Sequence, residues 1–253
     1  MQSFLNRVIE ELWEKNASFD NLVFVLPGKR AGTFLKNGIC NIVGKTIFAP
    51  EIYSVESFVE MISGLSYASG TQQLFELYSS YLQTGTDEKE SFYSFSKWGQ
   101  ILLQDFNEID RYLVPADKLF SYLSVIQEMN QWHLKPGKTK LIEDYLSFWN
   151  NLEELHTIFN SKLLENSLGH QGLVYREACN NLSNYINRTK SKKHIFIGFN
   201  ALNKAEVFII TEFLNKGNAD IYWDIDSDFL EDKIHDAGFF IRQYLKAVSL
   251  YTS

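Results

Sequence analysis

Two tripeptides in the chain resemble the end of a phosphate-binding loop, but neither meets the other requirements of that motif. A P-loop needs a glycine five residues before its Gly-Lys-Thr, a strand in front of it and a helix behind it. For Gly44-Lys45-Thr46 the required position holds Ile39, and a predicted strand follows where a helix is needed. For Gly137-Lys138-Thr139 it holds Trp132, and the flank is helical. We predict that neither tripeptide binds a nucleotide.

A different basic segment lies where ligands bind in open α/β sheets. Residues 27–34 (PGKRAGTF) follow the apolar run 22–26 (LVFVL), which has the composition of a buried strand, and such sheets bind ligands at the carboxyl ends of strands. Between residues 21 and 50 there are four Lys or Arg residues and no acid, although the chain carries a net charge of -7. The segment is either a solvated turn or a site for a nucleic-acid phosphate. In the second case we expect the contacts to come from Lys29, Arg30, Thr33 and Lys36.

Further basic residues fall in predicted interhelical or linker segments. They are Lys135, Lys138, Lys140, Arg188, Lys190, Lys192 and Lys193. If these residues share a face with Lys29 and Arg30, they form a track for a DNA backbone, and binding weakens steeply as salt rises. The alternative is that they are solvated loops, as most charge runs are.

An acidic pair follows the apolar run 219–225. Asp224 and Asp226 form a D-x-D, which can bind Mg²⁺ or Mn²⁺ together with substrate phosphates in a metal-dependent enzyme. The alternative is a polar strand end whose Asp caps the next segment. An EF-hand is excluded, because Phe229 and His235 stand where Gly and Glu are required. The five histidines lack metal-ligand spacing and there is no G-x-S-x-G elbow, so we predict no catalytic residue, no bound metal and no cofactor.

The composition is that of a compact, soluble chain. With 253 residues, of which 45% are apolar, it can bury a sizeable core. Cys40 and Cys179 are read as reduced thiols, which suits a cytoplasmic protein. No apolar run approaches the roughly 20 residues that span a bilayer, so we expect a cytoplasmic protein without a membrane partner.

Hydrophobic periodicity predicts an α/β sheet with a helical segment between its two parts. Period-2 or continuous apolar runs predict strands at 22–26, 46–49, 194–199 and 219–225. The first and third precede helices that start near Ala31 and Asn203, and Ser54 is a plausible cap for another. Three- and four-residue spacing predicts helices from about 70 to 190. The expected domains are 1–66 and 191–253, the two parts of the sheet domain, and 67–190, an all-helical insertion.

Several segments, taken together in order, resemble the AddB-like and RecC-like subunits of bacterial helicase-nucleases. They are 22–34 (LVFVLPGKRAGTF), 47–62 (IFAPEIYSVESFVEMI), 102–119 (LLQDFNEIDRYLVPADKL), 193–226 (KHIFIGFNALNKAEVFIITEFLNKGNADIYWDID) and 237–245 (AGFFIRQYL). The chain is most similar to the inactivated superfamily I helicase type that continues into a PD-(D/E)XK nuclease. The resemblance implies a RecA-like, P-loop NTPase-like fold and a role in handling DNA during double-strand-break repair and recombination.

The departures from active relatives concern the residues that bind and hydrolyse ATP. An active member has a strand and a glycine-rich phosphate loop ahead of the first helix, and here only Met1 and Gln2 precede it. In an active motor, acidic residues follow the strand of the second ATP-binding element. At that position this chain reads Gly198-Phe199-Asn200. The resemblance therefore implies a non-catalytic, ATPase-dead module. Its partners would be single-stranded or forked DNA and an AddA-like subunit, with any nuclease residues beyond Ser253 in a longer protein. A metal-dependent enzyme using Asp224 and Asp226, or a pure protein-interaction scaffold, remain the alternatives.

Overall fold

The computed structural model describes residues 3–16, 18–85, 89–131, 140–232 and 234–249, with the backbone alone over 124–131, 140–150 and 246–249. Its elements are, in chain order, α1 (Phe4–Asn16), β1 (Leu22–Leu26), α2 (Lys29–Val43), β2 (Glu51–Ser54), α3 (Val55–Ser63), β3 (Ser66–Tyr67), α4 (Gly70–Tyr81), α5 (Phe92–Arg111), α6 (Ala116–Gln131), α7 (Lys140–Glu165), β4 (Leu168–Gly169), α8 (Gln171–Arg188), β5 (Lys193–Ile197), α9 (Lys204–Asn215), β6 (Ala219–Tyr222), α10 (Ser227–Glu231) and α11 (Phe239–Ser249). Within the described ranges, no helix is long and apolar enough to cross a bilayer.

The chain folds into two compact units. The first, which we call the sheet unit, comprises Met1–Ile62 and Cys179–Ser253. The second, the helical unit, comprises Ser63–Ala178. The divisions at 62/63 and 178/179 compare with predicted boundaries at 66/67 and 190/191. The second division falls inside α8, which begins in the helical unit and ends in the sheet unit.

The sheet unit is built on a parallel four-stranded sheet of order β2-β1-β5-β6. Phe24 of β1 lies opposite Ile52 of β2 on one side and opposite Ile195 of β5 on the other. All five residues of β1 are buried, as expected for a central strand of a parallel sheet covered on both faces. The α/β class and the strand predicted at 22–26 are confirmed.

Helices cover both faces of this sheet. Successive residues of a strand point to opposite faces, so Ile195 and Phe196 contact different helices. On the face of Ile195, residues of α1 and α2 join Phe24 in one buried cluster. On the face of Phe196, the rings of Phe58 in α3 and Phe213 in α9 lie 6.2 and 5.6 Å from the Phe196 ring, centroid to centroid. The helices α2 and α9 therefore pack on opposite faces.

The second strand lies at Glu51–Ser54, so the prediction of a strand at 46–49 is wrong. Pro50 has no N–H to donate to a strand ladder, and pairing with β1 begins directly after it, with Glu51 opposite Val23. The predicted cap at Ser54 is confirmed, since its hydroxyl accepts a hydrogen bond from the Ser57 N–H at 3.3 Å.

Other predicted elements differ from the structure at their ends. The helix expected near Ala31 begins at Lys29. The strands predicted at 194–199 and 219–225 are shorter in the structure. β5 ends at Ile197, directly before Gly198, whose φ of +73° lies in the left-handed region that favours glycine. Gly217, at φ +70°, follows α9 as predicted.

The helical unit contains the long amphipathic helices that the periodicity predicts, here α5 and α7. It also contains a parallel pairing of β3 with β4 that was not predicted. The first turn of α8 approaches α5 closely. The Gly172 N–H donates to Asn107 Oδ1 at 2.7 Å, and a Cβ added at Gly172 would lie 2.1 Å from the Asn107 carbonyl oxygen. Only glycine allows this approach.

Candidate functional site

The strand order reverses where neighbouring strands of the sheet unit lead to opposite faces, and we call this reversal point the crevice. β1 and β5 are adjacent and parallel, yet β1 continues into α2 on one face and β5 into α9 on the other. Such a point, where the strand order reverses, is where open α/β sheets bind ligands outside the carboxyl ends of the strands. The loops that flank it here are 27–28 after β1 and 198–203 after β5.

A glycine forms the cap between β1 and α2. Gly28 is the N-cap residue, with extended backbone at φ -160° and ψ 160°, and no side chain caps the helix. A Cβ added at Gly28 would meet nothing within 4 Å, so the space around it is free. The first turn of α2 contains no acidic residue, which leaves the positive end of the helix dipole uncompensated by its own side chains.

The exposed side of α2 is basic. The helix buries Gly32, Leu35, Gly38 and Ile39 at the spacing expected for one face. We call its opposite side the α2 basic face, which consists of the exposed residues Lys29, Arg30, Thr33, Phe34, Lys36 and Asn37. It includes all four predicted phosphate contacts, and α2 contains no Asp or Glu. In the part of the chain that the structure describes, none of its three cations forms an ion pair.

One aromatic ring belongs to this face. The guanidinium of Arg30 lies over the ring of Phe34, with its carbon 5.8 Å from the ring centroid, a cation–π distance. Phe34 nevertheless remains 55% exposed. An aromatic residue at helical spacing is normally read as core, so its exposure was not predicted from sequence.

The loop after β5 offers hydrogen-bonding groups but no carboxylate. Residues 198–203 read GFNALN, with Phe199 buried and Asn200 exposed. The first acid after β5 is Glu206, whose Oε2 accepts from the Asn203 N–H at 2.9 Å, while Asn203 Oδ1 accepts from the Glu206 N–H at 2.9 Å. Asn203 and Glu206 thus form a capping box at the start of α9, and the Glu206 carboxylate is engaged there. The two loops of the crevice therefore supply no metal-binding acid.

The Gly-Lys-Thr tripeptide at 44–46 closes a helix. Gly44 is the C-cap of α2 at φ +59°, and its N–H donates to the Cys40 carbonyl. The ammonium of Lys45 lies 5.3 Å from the centroid of the Trp13 ring. Gly137-Lys138-Thr139 lies outside the described residues.

The other predicted basic residues are not brought to the crevice. Arg188, Lys190, Lys192 and Lys193 lie at the amino end of β5, the edge of the sheet opposite the start of α2. Lys192 forms an ion pair with Glu51, and Lys193 with Asp220 at 2.6 Å. Lys135 and Lys138 lie outside the described residues, and Lys140 is described by its backbone alone, at the start of α7 in the helical unit.

One member of the acidic pair after β6 caps a short helix. Asp224 and Asp226 are both exposed. Asp226 is the N-cap of α10, and its Oδ1 accepts from the Asp228 N–H at 2.9 Å. Among the residues that the structure describes, no group of three or more His, Cys, Asp or Glu side chains is placed to hold a metal ion.

A buried ionic network in the helical unit was missed by the sequence interpretation. Asp110, 1% exposed, lies near the end of α5 and accepts from Arg176 Nε at 2.7 Å and from Asn160 Nδ2 at 3.0 Å. Its Oδ2 is 3.4 Å from His156 Nε2 and 3.3 Å from His170 Nε2. One carboxylate thus connects α5, α7 and α8.

Two members of this network also cap helix ends. Arg176 donates to the carbonyls of Ile109 and Val114 at 3.1 and 2.7 Å, at the carboxyl end of α5. His170 Nδ1 accepts from the Leu173 N–H at 3.2 Å, at the start of α8. His170 thus uses Nδ1 at the start of α8, while its Nε2 faces Asp110.

The network changes the acidity of its carboxylate. Burial alone would raise the pKa of Asp110, but the hydrogen bonds from His156 and His170 favour the ionised form and outweigh it. The pKa of Asp110 is therefore held well below its ordinary value. Asp110 is thus a buried anion that is hydrogen-bonded to residues of α7 and α8, and we interpret it as a structural centre.

Comparison of the chain with protein-family models and with curated protein sequences gives no match in either case. Each unit brings together one set of side chains that could have a function. In the sheet unit these are the three cations, the hydroxyl and the ring of the α2 basic face, beside a crevice whose two loops contain no acid. In the helical unit they are the closed network around Asp110.

Proposed function

We propose that this chain is a non-catalytic, RecA-like module of an AddB-type helicase-nuclease that binds DNA at the α2 basic face. The observation that carries the proposal is this exposed face with three unpaired cations and no acid, in a chain whose net charge is -7. Its position supports the proposal, since α2 begins at the reversal point of a parallel sheet. The order of the AddB-like segments along the sequence supports it as well.

Phosphate is the chemistry that this face fits. Lysine and arginine neutralise phosphates and release condensed counterions, which supplies most of the affinity of sequence-independent binding. Thr33, Asn37 and the amides at the start of α2 add neutral donors of the kind that fix a backbone in register. With Lys29, Arg30 and Lys36 within about 10 Å along the helix, at 1.5 Å per residue, the face would follow a short stretch of one strand.

The first prediction concerns salt dependence. Lys29→Ala combined with Arg30→Ala removes two cations, and for a single strand each phosphate contact contributes about 0.7 to the slope of log K against log salt. We expect the slope to become shallower by about 1.4 for the double variant. Fluorescence anisotropy of a labelled single strand and of a fork, titrated over a salt series, measures it.

The matched control is Arg188→Ala with Lys190→Ala, which removes the same charge from exposed residues at the opposite edge of the sheet. We expect this variant to keep the slope of the unaltered chain. Equal slopes for all three proteins would show that α2 does not contact DNA, and absence of binding at low salt would leave a protein-interaction scaffold as the better description.

The second prediction is that the chain does not hydrolyse ATP. Residues 27–28 and 198–203, which flank the crevice, contain neither a glycine-rich loop ending in Gly-Lys-Ser/Thr, which would cradle a triphosphate, nor an acid that would hold Mg²⁺ and orient water. We expect phosphate release in the presence of Mg²⁺, ATP and single-stranded DNA to stay at background. Turnover on the order of 1 s⁻¹ that is lost in the Lys29→Ala variant would contradict the inactivated-motor proposal.

A further inference from the structure

An exposed aromatic ring interrupts the α2 basic face. Phe34 follows Arg30 by one helical turn, about 6 Å along the axis, so these two side chains are neighbours on the helix surface. Lys36 follows Phe34 by two residues and does not face it. The other apolar residues on this part of α2, Leu35 and Ile39, are buried at 0% and 4% exposure. Phe34 at 55% is turned away from that core.

The contact with Arg30 orients the ring without covering it. A guanidinium 5.8 Å from the centroid is attracted to the face of the ring. Because more than half of Phe34 stays exposed, ring surface remains for a second planar group. A ring beside cations that bind phosphate is the arrangement by which proteins stack an unpaired base while holding its backbone.

The ring distinguishes single-stranded from double-stranded nucleic acid. In a duplex the bases stack on one another, and a protein reaches only their edges through the grooves. In a single strand the face of each base is available for stacking, and every base has one, so the contact is independent of sequence. A duplex would engage the cations alone.

We propose that Phe34 is a base-stacking residue and that the α2 basic face is therefore selective for single-stranded DNA, with one base on Phe34 and the neighbouring phosphate on Arg30. This inference rests on the proposed DNA-binding function and adds the class of nucleic acid that the face takes. It also assigns a binding role to a residue whose side chain carries no charge.

The test compares variants of Phe34 in the full chain, using an oligo-dT of about 20 nucleotides, longer than one site, and a mixed-sequence duplex of the same length. Phe34→Leu keeps an apolar side chain without a ring, and we expect it to weaken single-strand binding about tenfold and to leave duplex binding and the salt slope unchanged. Phe34→Trp keeps a stacking surface, so we expect affinity to be retained and the added indole fluorescence to be quenched by oligo-dT but not by the duplex.

The matched control is Phe48→Leu, at an 86% exposed phenylalanine in the loop before β2, which we expect to bind as the unaltered chain does. Circular dichroism checks that each variant folds, as expected for exposed positions. An equal loss on single strand and duplex, or no loss in Phe34→Leu, would overturn the stacking role. If Lys29→Ala with Arg30→Ala still weakens binding in that case, the DNA-binding function stands without it.

If the Lys29 and Arg30 variant also binds unchanged, the DNA-binding function of α2 fails together with the inference. An oligo-rU of the same length compares the two nucleic acids, which differ at the 2′-hydroxyl of the sugar. Tighter binding of oligo-dT than of oligo-rU supports DNA as the ligand. Tighter binding of oligo-rU would overturn it.

Discussion

Asp110→Asn is expected to lower the free energy of unfolding by about 3–5 kcal/mol, the range for breaking a buried ion pair by removing one partner. The substitution keeps the size of the side chain but removes its charge, so the Arg176 guanidinium loses its counterion. The new amide N–H₂ would also face the donors of Asn160, His156 and His170 where Oδ2 accepts them now. A loss of this size is a large part of the 5–15 kcal/mol that stabilises a typical domain. Urea denaturation at pH 7, followed by circular dichroism, measures it.

Acid should reproduce the effect in the unaltered chain. The pKa of Asp110 is depressed in the folded state, so its contribution to stability is complete above the unfolded pKa, about 3.9, and is lost progressively as the pH falls below it. Asp110→Asn should lack this part of the acid sensitivity. The control is Asp105→Asn, an exposed carboxylate on the same helix, which we expect to change stability by less than about 0.5 kcal/mol. Similar losses for the two variants would show that the network around Asp110 contributes nothing specific.

The second large effect is a loss of stability between pH 6.5 and pH 4 that originates at His194. This residue is fully buried in β5, 4.4 Å from the Phe213 ring centroid to centroid, with Nε2 3.2 Å from the Tyr185 hydroxyl. Burial disfavours the imidazolium and lowers the pKa of His194 from 6.5 to about 4. Between these values the unfolded chain binds a proton that the folded chain does not. The contribution is therefore complete above pH 6.5 and falls by about 3 kcal/mol as the pH drops to 4.

A paired substitution isolates this contribution. His194→Phe combined with Tyr185→Phe removes the titrating ring together with the hydroxyl that would otherwise be left without a partner, and such paired replacements by apolar groups are often nearly neutral at pH 7. We expect the double variant to lose most of the pH dependence between 6.5 and 4, while groups that titrate elsewhere affect both proteins alike. Urea denaturation at half-unit steps of pH gives the difference curve. Parallel curves for the two proteins would contradict a buried neutral histidine at this position.

The sequence predicts those parts of the fold whose signal is local. The run LVFVL is apolar throughout because β1 is covered on both faces, and it was placed correctly at 22–26. The strand β2 is different, since it lies at the edge of the sheet and three of its four residues are only half-buried. Its hydrophobicity is lower than that of the neighbouring run 46–49, which the prediction chose in its place. The pairing of β3 with β4 joins two-residue segments far apart in the chain, and no periodicity can reveal it.

The candidate site also has residues that the sequence predicts and residues that it does not. Lys29, Arg30, Thr33 and Lys36 recur at helical spacing beside a buried strand, so their common exposure on α2 follows from the sequence pattern. Phe34 does not, because helical periodicity alone cannot tell an exposed aromatic from a buried one. The network around Asp110 is harder still, since its partners come from α7 and α8. Asp110 is one of three acids in α5, and its position one helical turn after the buried Phe106 is the trace that the network leaves in the sequence.

The strand order of the sheet also determines when β1 can pair during synthesis of the chain. β1 pairs with β2 on one side, and β2 follows it at once, but its other neighbour, β5, ends at Ile197. About 170 residues must be added between the end of β1 and the end of β5, which at 5–20 residues per second takes roughly 10–30 s on the ribosome. Throughout that time one edge of a fully apolar strand has no partner, the state in which strands pair with foreign chains. We therefore expect α1 and α2, whose residues share the buried cluster of β1, to cover this strand early, before the β5 segment leaves the ribosome.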